Sequence, residues 1–204
     1  MPSQSLRRVS LPLFIVFLFM IASQASALPM MFMDVGGAGS SGEVEQGESV
    51  TVSLFLSDVP IGSDSKGLFS FGFDIAYDSA GLDATSHDFG PLWQSTGIDS
   101  SRNDPGDVGL SANRFFMSSG PYGDDILLGS IEFVGLSSGT YSLTLGYFTG
   151  TGDNVLFDGT SIDDGPEFFT AGSLEVVPEP GTFVLVSMGM GLLGMHSRRR
   201  SLAS

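Results

Sequence analysis

Cysteine is absent from the 204 residues, so neither a disulfide nor a thiolate metal site can staple this chain. Basic residues are scarce as well. Of eight, Arg7, Arg8, Arg198, Arg199 and Arg200 lie near the two ends, leaving Lys66, Arg102 and Arg114 between Leu28 and Pro180. All 23 acidic residues lie in that same middle stretch. Binding nucleic acid depends on neutralising phosphates with Lys and Arg, so no nucleic-acid partner is expected. Cations such as calcium, and neutral sugars, remain compatible with such a charge, which also keeps an exported protein soluble. Amphipathic helical periodicity longer than a turn or two is missing too, which excludes helical bundles and alternating α/β folds. The length suits one domain of ordinary size plus terminal segments, stabilised by a hydrophobic core with or without bound ions.

What is present is alternation. Val50, Val52, Leu54 and Leu56 interleave with Thr51, Ser53, Phe55 and Ser57, the period of two of a half-buried strand. Phe69, Phe71, Phe73, Ile75 and Tyr77 repeat it, and further strands are expected over 111–117, 126–133, 141–148 and 168–176. Connections rich in Gly, Ser and Asp separate them, such as SSRNDPGDVG and VGLSSGT. Short strands with turn signals predict an all-β, antiparallel β-sandwich over residues 43–176. The stretch GGAGSSGE makes residues 28–42 an expected flexible lead-in.

The two ends are addresses. Arg7-Arg8, the apolar run Leu11 to Ile21 and the triplet Ala25-Ser26-Ala27 are the three parts of a secretory signal peptide. Cleavage after Ala27 is expected, with Ala25 and Ala27 as the small residues the peptidase reads, so residues 1–27 form the signal. At the other end, residues 182–197 would make a helix about 24 Å long at ~1.5 Å per residue, against a hydrocarbon core of ~30 Å. Pro178 and Pro180 bound it on one side, and Arg198, Arg199 and Arg200 form a basic stop on the cytoplasmic side. Both signals put the middle of the chain outside the inner membrane.

Val177-Pro178-Glu179-Pro180, the run Phe183 to Met195 and the three arginines together resemble the PEP-CTERM sorting signal of Gram-negative bacteria, here over 177–204. That resemblance implies recognition by an exosortase, a membrane protease-transpeptidase, transient anchoring in the inner membrane, and delivery to the cell surface or extracellular matrix, where exopolysaccharide and biofilm are built. The middle resembles a cohesin-like jelly roll. Its marks are an opening from Gly47 to Val50, an aromatic strand ending in Tyr77-Asp78 with Leu82 soon after, and the late pattern Gly129, Ile131, Phe133. Cohesins of cellulosomes bind dockerins, but no residue here matches a dockerin-binding surface, so that activity does not carry over.

Chemical motifs are few. Gly135-Leu136-Ser137-Ser138-Gly139 fits the Gly-x-Ser-x-Gly of hydrolase nucleophile elbows, but strands lead in and out, and His87 is the one histidine outside the tail. A hairpin turn accounts for it. Gly189 to Gly194 matches a dinucleotide fingerprint inside the apolar tail, without the strand that fingerprint requires. Two acidic loops, one with Asp99, Asn103, Asp104 and Asp107, the other with Asp153, Asn154, Asp158, Asp163 and Asp164, supply oxygens of the kind calcium takes. Asp104, Asp107, Asp153 and Asp158 are the candidate ligands. Neither loop has EF-hand spacing, and turn-making is the plainer role. Trp93 is expected to plug an end of the sandwich rather than stack on a sugar. No pair of carboxylates is placed for glycoside hydrolysis. The expectation is an exported, non-enzymatic sandwich for adhesion or exopolysaccharide association, with an exosortase, exopolysaccharide or a surface protein as partners. A secreted carbohydrate-binding or hydrolytic protein is the alternative.

Overall fold

The computed structural model describes residues 28–60, 66–94, 99–148, 154–163, 168–179 and 181. The signal peptide with Ala25 and Ala27, the apolar tail and Arg198 to Arg200 lie outside these residues, as do Pro180 and Asp153. Among the described residues no helix is long and apolar enough to cross a membrane.

Eleven strands form two facing sheets. They are β1 (Met30–Val35), β2 (Ser41–Glu45), β3 (Ser49–Ser57), β4 (Leu68–Ala76), β5 (Leu82–Phe89), β6 (Asp99–Asp104), β7 (Asp107–Asn113), β8 (Ile126–Gly135), β9 (Gly139–Gly146), β10 (Val155–Leu156) and β11 (Gly172–Val177). One sheet has the order β1-β3-β8-β5; the other runs β2-β11-β9-β4-β7-β6, with β10 added on β4. Pairing is antiparallel except between β2 and β11, which run parallel. The all-β sandwich expected from the alternation is the observed architecture.

Alternation decides which side chains enter the core. Val52, Leu54 and Leu56 of β3, and Phe71, Phe73 and Ile75 of β4, have no exposed surface. Leu128, Ile131 and Phe133 of β8 join them, and Tyr77 meets the Phe133 ring edge-on at 5.1 Å between centroids. Burying each such side chain contributes about 1.5–3 kcal/mol. Trp93 is 1 % exposed, lies edge-on to Phe71 at 4.7 Å and donates its indole N–H to the Leu127 carbonyl at 3.2 Å. It plugs one end of the sandwich, as expected.

Three expectations need correction. The flexible lead-in is structured: Met31, Met33 and Val35 of β1 are buried, and β1 pairs with β3 from Met30↔Ser57 to Val35↔Val52. The turn through Gly36 to Ser40 then carries the chain across to the other sheet, where β2 begins. SSRNDPGDVG is not a loop but the β6–β7 hairpin, closed by Pro105 and Gly106 between the paired Asp104 and Asp107. Pro105 presets φ near about −65°, and Gly106 takes the φ of +89° that a non-glycine residue resists. Finally, the strand expected over 111–117 stops at Asn113, and that expected over 168–176 starts at Gly172.

Candidate functional site

The register places the strand ends at two poles, separated by the length of β8, about 30 Å at ~3.4 Å per residue. One pole gathers the ends of β2 and β11, the start of β3 and the turns after β4, β6 and β8; the chain leaves the sandwich here. The opposite pole gathers the turn after β5 and the long connection from β7 to β8.

At the exit pole Val177, first residue of the expected sorting motif, is the last residue of β11. Its carbonyl accepts the Gln46 N–H at 2.8 Å, and it pairs with Glu45 of β2. Pro178 and Glu179 follow directly and are exposed. Glu179 lines a cleft with Gln46, Gly47, Val134, Gly135 and Leu136.

The same pole carries the acidic hairpin. Arg102 on β6 reaches Asp74 of β4 at 2.8 Å, lies 3.8 Å from Asp104 and also binds Asp107. Asp104 and Asp107 therefore lie around a guanidinium. Asp158 caps its own turn, accepting the Thr160 N–H at 2.9 Å, and the N–H and hydroxyl of Thr160 hold its carboxyl below the ordinary range. Asp163 is buried and accepts from both the backbone and the side-chain nitrogens of Asn154, whose amide in turn bridges to Gly72 of β4. Among the described residues no three His, Cys, Asp or Glu side chains are grouped to hold a metal ion.

Gly135 to Gly139 is not the expected hairpin turn: β8 and β9 lie in different sheets and do not pair, and the segment carries the chain from one sheet to the other. Ser137 Oγ lies 2.8 Å from the Tyr141 hydroxyl and donates to the Ala80 carbonyl at 3.2 Å. His87 is on β5, paired with Ile131 and edge-on to Phe89 at 6.5 Å. Ser137, with the Leu136 N–H donating to the Gly81 carbonyl, ties this crossover to the turn after β4. Of the two glutamates on β8 and β11, Glu175 faces solvent and Glu132 is half-buried. Glu132 accepts from Ser86 at 2.9 Å, and the hydroxyls of Ser49 and Ser86 hold its carboxyl below the ordinary range.

The opposite pole holds what the sequence did not signal. Phe115 and Phe116, read as the end of a strand, instead stand in the β7–β8 connection, 67 % and 79 % exposed, edge-on to each other at 5.6 Å. Met117, Tyr122 and Leu92 are exposed at the same pole. Arg114 organises it: its guanidinium lies 5.8 Å from the Trp93 ring, and it donates to the Leu92 and Ser119 carbonyls. Gly120 allows the connection to close on β4, because a Cβ there would stand 1.8 Å from the Leu68 carbonyl oxygen. Its N–H donates to the Lys66 carbonyl at 2.7 Å, so two of the three basic residues of the middle stretch border this aromatic pole.

The arrangement is that of a cohesin-like β-sandwich. The sixth cohesin of scaffoldin B from Acetivibrio cellulolyticus, solved with a Cel5 dockerin, superposes with a TM-score of 0.56 at 18 % identity, covering 74 % of this chain and 100 % of that one. The seventh ScaB type I cohesin from Pseudobacteroides cellulosolvens gives 0.56 at 23 % identity, covering 74 % and 94 %. A non-cellulosomal cohesin from the archaeon Archaeoglobus fulgidus gives 0.54 at 17 % identity, covering 77 % and 96 %. At these identities the likeness is one of fold. Residues 176–200 match the PEP-CTERM protein-sorting motif, so the chain carries the sorting signal of an exported protein. No curated protein matches the sequence.

Proposed function

We propose that this chain is an exosortase substrate of a Gram-negative bacterium, held briefly in the inner membrane by its tail and then delivered to the cell surface or matrix. Its sandwich is a non-catalytic module that attaches to extracellular polysaccharide through the aromatic pole. The observation that carries this reading is the exposure of Phe115 and Phe116 at the pole opposite the sorting motif. Exposed aromatic faces offer sugar rings a flat apolar surface at little conformational cost. Lys66 and Arg114 bring two of the three basic residues of the middle stretch to this end, where Asp124 and Asp125 of the same connection are also exposed. The fold supports a binding role by likeness to cohesins, several of which were solved in complex with dockerins.

Replacing both phenylalanines by serine tests it. These side chains are exposed, so the thermal midpoint should hold within a degree or two, while co-sedimentation with extracted exopolysaccharide should fall at least tenfold. Unchanged co-sedimentation sinks the polysaccharide reading. Calcium binding by the loop of Asp153 and Asp158 is a separate proposal: a thermal midpoint raised by calcium over chelator supports it, and equal midpoints remove it.

A further inference from the structure

The sorting motif and the sandwich share residues. The matched motif begins at residue 176, whereas β11 runs to Val177, so the last two residues of the strand are the first two of the signal. Both are held. Val176 is 2 % exposed, pairs with Gly139 of β9, and packs so closely on Gly135 that a Cβ there would come within 2.7 Å of its side chain. Val177 pairs with Glu45 and accepts the Gln46 N–H. Glu179, centre of the Pro-Glu-Pro, lines the cleft formed by Gln46, Gly47 and Leu136. No spacer separates domain from signal. On the membrane side the apolar run starts by Thr182, so the five residues after Val177 reach at most about 17 Å at ~3.4 Å each.

A peptidase needs extended backbone whose N–H and C=O groups are free on both sides of the bond it cuts, and a strand paired on two sides cannot supply it until it opens locally. We propose that the folded sandwich restrains its own sorting motif, and that release of Val176 and Val177 from β2 and β9 is the step that admits the processing enzyme. The inference rests on the exosortase reading above. Its consequence is a timing device: the rate of processing follows the opening of the β11 end rather than the enzyme's chemistry.

The test is pulse-chase processing of the full chain in a host with active exosortase. A Gly-Ser-Gly-Ser-Gly-Ser spacer inserted after Val177 and followed by a second Val-Val ahead of Pro178, so that the strand keeps its own residues and the motif stays whole, should speed processing several-fold. Val176→Ala, which weakens the strand without lengthening the chain, should speed it two- to tenfold, and should add nothing in the spacer background. Equal rates for the natural chain, the spacer variant and Val176→Ala overturn the inference while leaving exosortase sorting intact. Acceleration by Val176→Ala that persists in the spacer background also overturns it, since the spacer should already have released the motif. Processing of none of them sinks the sorting reading itself, and the inference with it.

Discussion

Arg102 shows how one residue stabilises an otherwise repulsive corner. Asp74, Asp104 and Asp107 converge on it, and Asp74, at 7 % exposed, has little water to spread its charge. Replacing Arg102 by Met leaves those carboxylates without their countercharge, and should cost roughly 1–3 kcal/mol, less than a fully buried pair because the guanidinium is partly exposed. Urea titration checks this, and adding Asp74→Asn with Asp107→Asn should restore part of the loss. No restoration would mean that Arg102 acts through packing instead. Glu132 makes a prediction in pH. Hydroxyls from Ser49 and Ser86 depress its folded pKa, so its contribution is present above the unfolded value of ~4.3 and is lost as pH falls through the lower folded value. Glu132→Gln should therefore flatten the fall in thermal midpoint on acidification below about pH 4.5. An unaltered slope would assign that fall to other carboxylates.

At the scale of elements, legibility in the sequence follows what each strand face meets. Strands β3 and β8 could be read because one face enters the core while the other is only partly covered, and β4 because its second face, Ser70, Gly72 and Asp74, is polar although Gly72 and Asp74 are buried beneath Asn154 and Arg102. Strand β1 could not, since MMFMDV is apolar on both faces: Met31 and Met33 enter the core while Phe32 on the outside stacks on Phe55 at 5.5 Å. The β6–β7 hairpin was hidden by Asp, Asn, Ser and Gly, residues whose local preference is for turns; tertiary pairing with β4 overrides it. The aromatic pole was hidden in the opposite way, because Phe115-Phe116-Met117 reads as core until the chain is seen to leave the sheet at Asn113. The sorting motif needed no fold to be seen, yet its overlap with β11 did. These differences set a testable domain boundary. A fragment of residues 43–176 lacks β1, with Met31, Met33 and Val35, and also the carbonyl of Val177. It should be unfolded or lose several kcal/mol, whereas residues 28–179 should unfold cooperatively. Equal denaturant midpoints for the two would show that β1 is dispensable.

On the scale of the whole molecule, charge and shape act together. The full chain carries a formal charge of −15 even with its terminal arginines, and the stretch from Leu28 to Pro180, which lacks them, is more acidic. Such a body repels itself, which disfavours the compact state and discourages contact with anionic surfaces. The aromatic pole, where Lys66 and Arg114 stand beside the exposed Asp124 and Asp125, lies opposite the pole where β11 ends. Self-repulsion has a signature in salt, because the screening length falls from ~30 Å at 0.01 M to ~3 Å at 1 M. The thermal midpoint of residues 28–179 should rise by about 3–6 °C over that range, as relief of ~1–2 kcal/mol predicts for a domain of this size. Sodium chloride is the right probe, since sulfate stabilises by exclusion whatever the charge. A falling midpoint would mean that the attraction around Arg102 outweighs the repulsion among the remaining carboxylates.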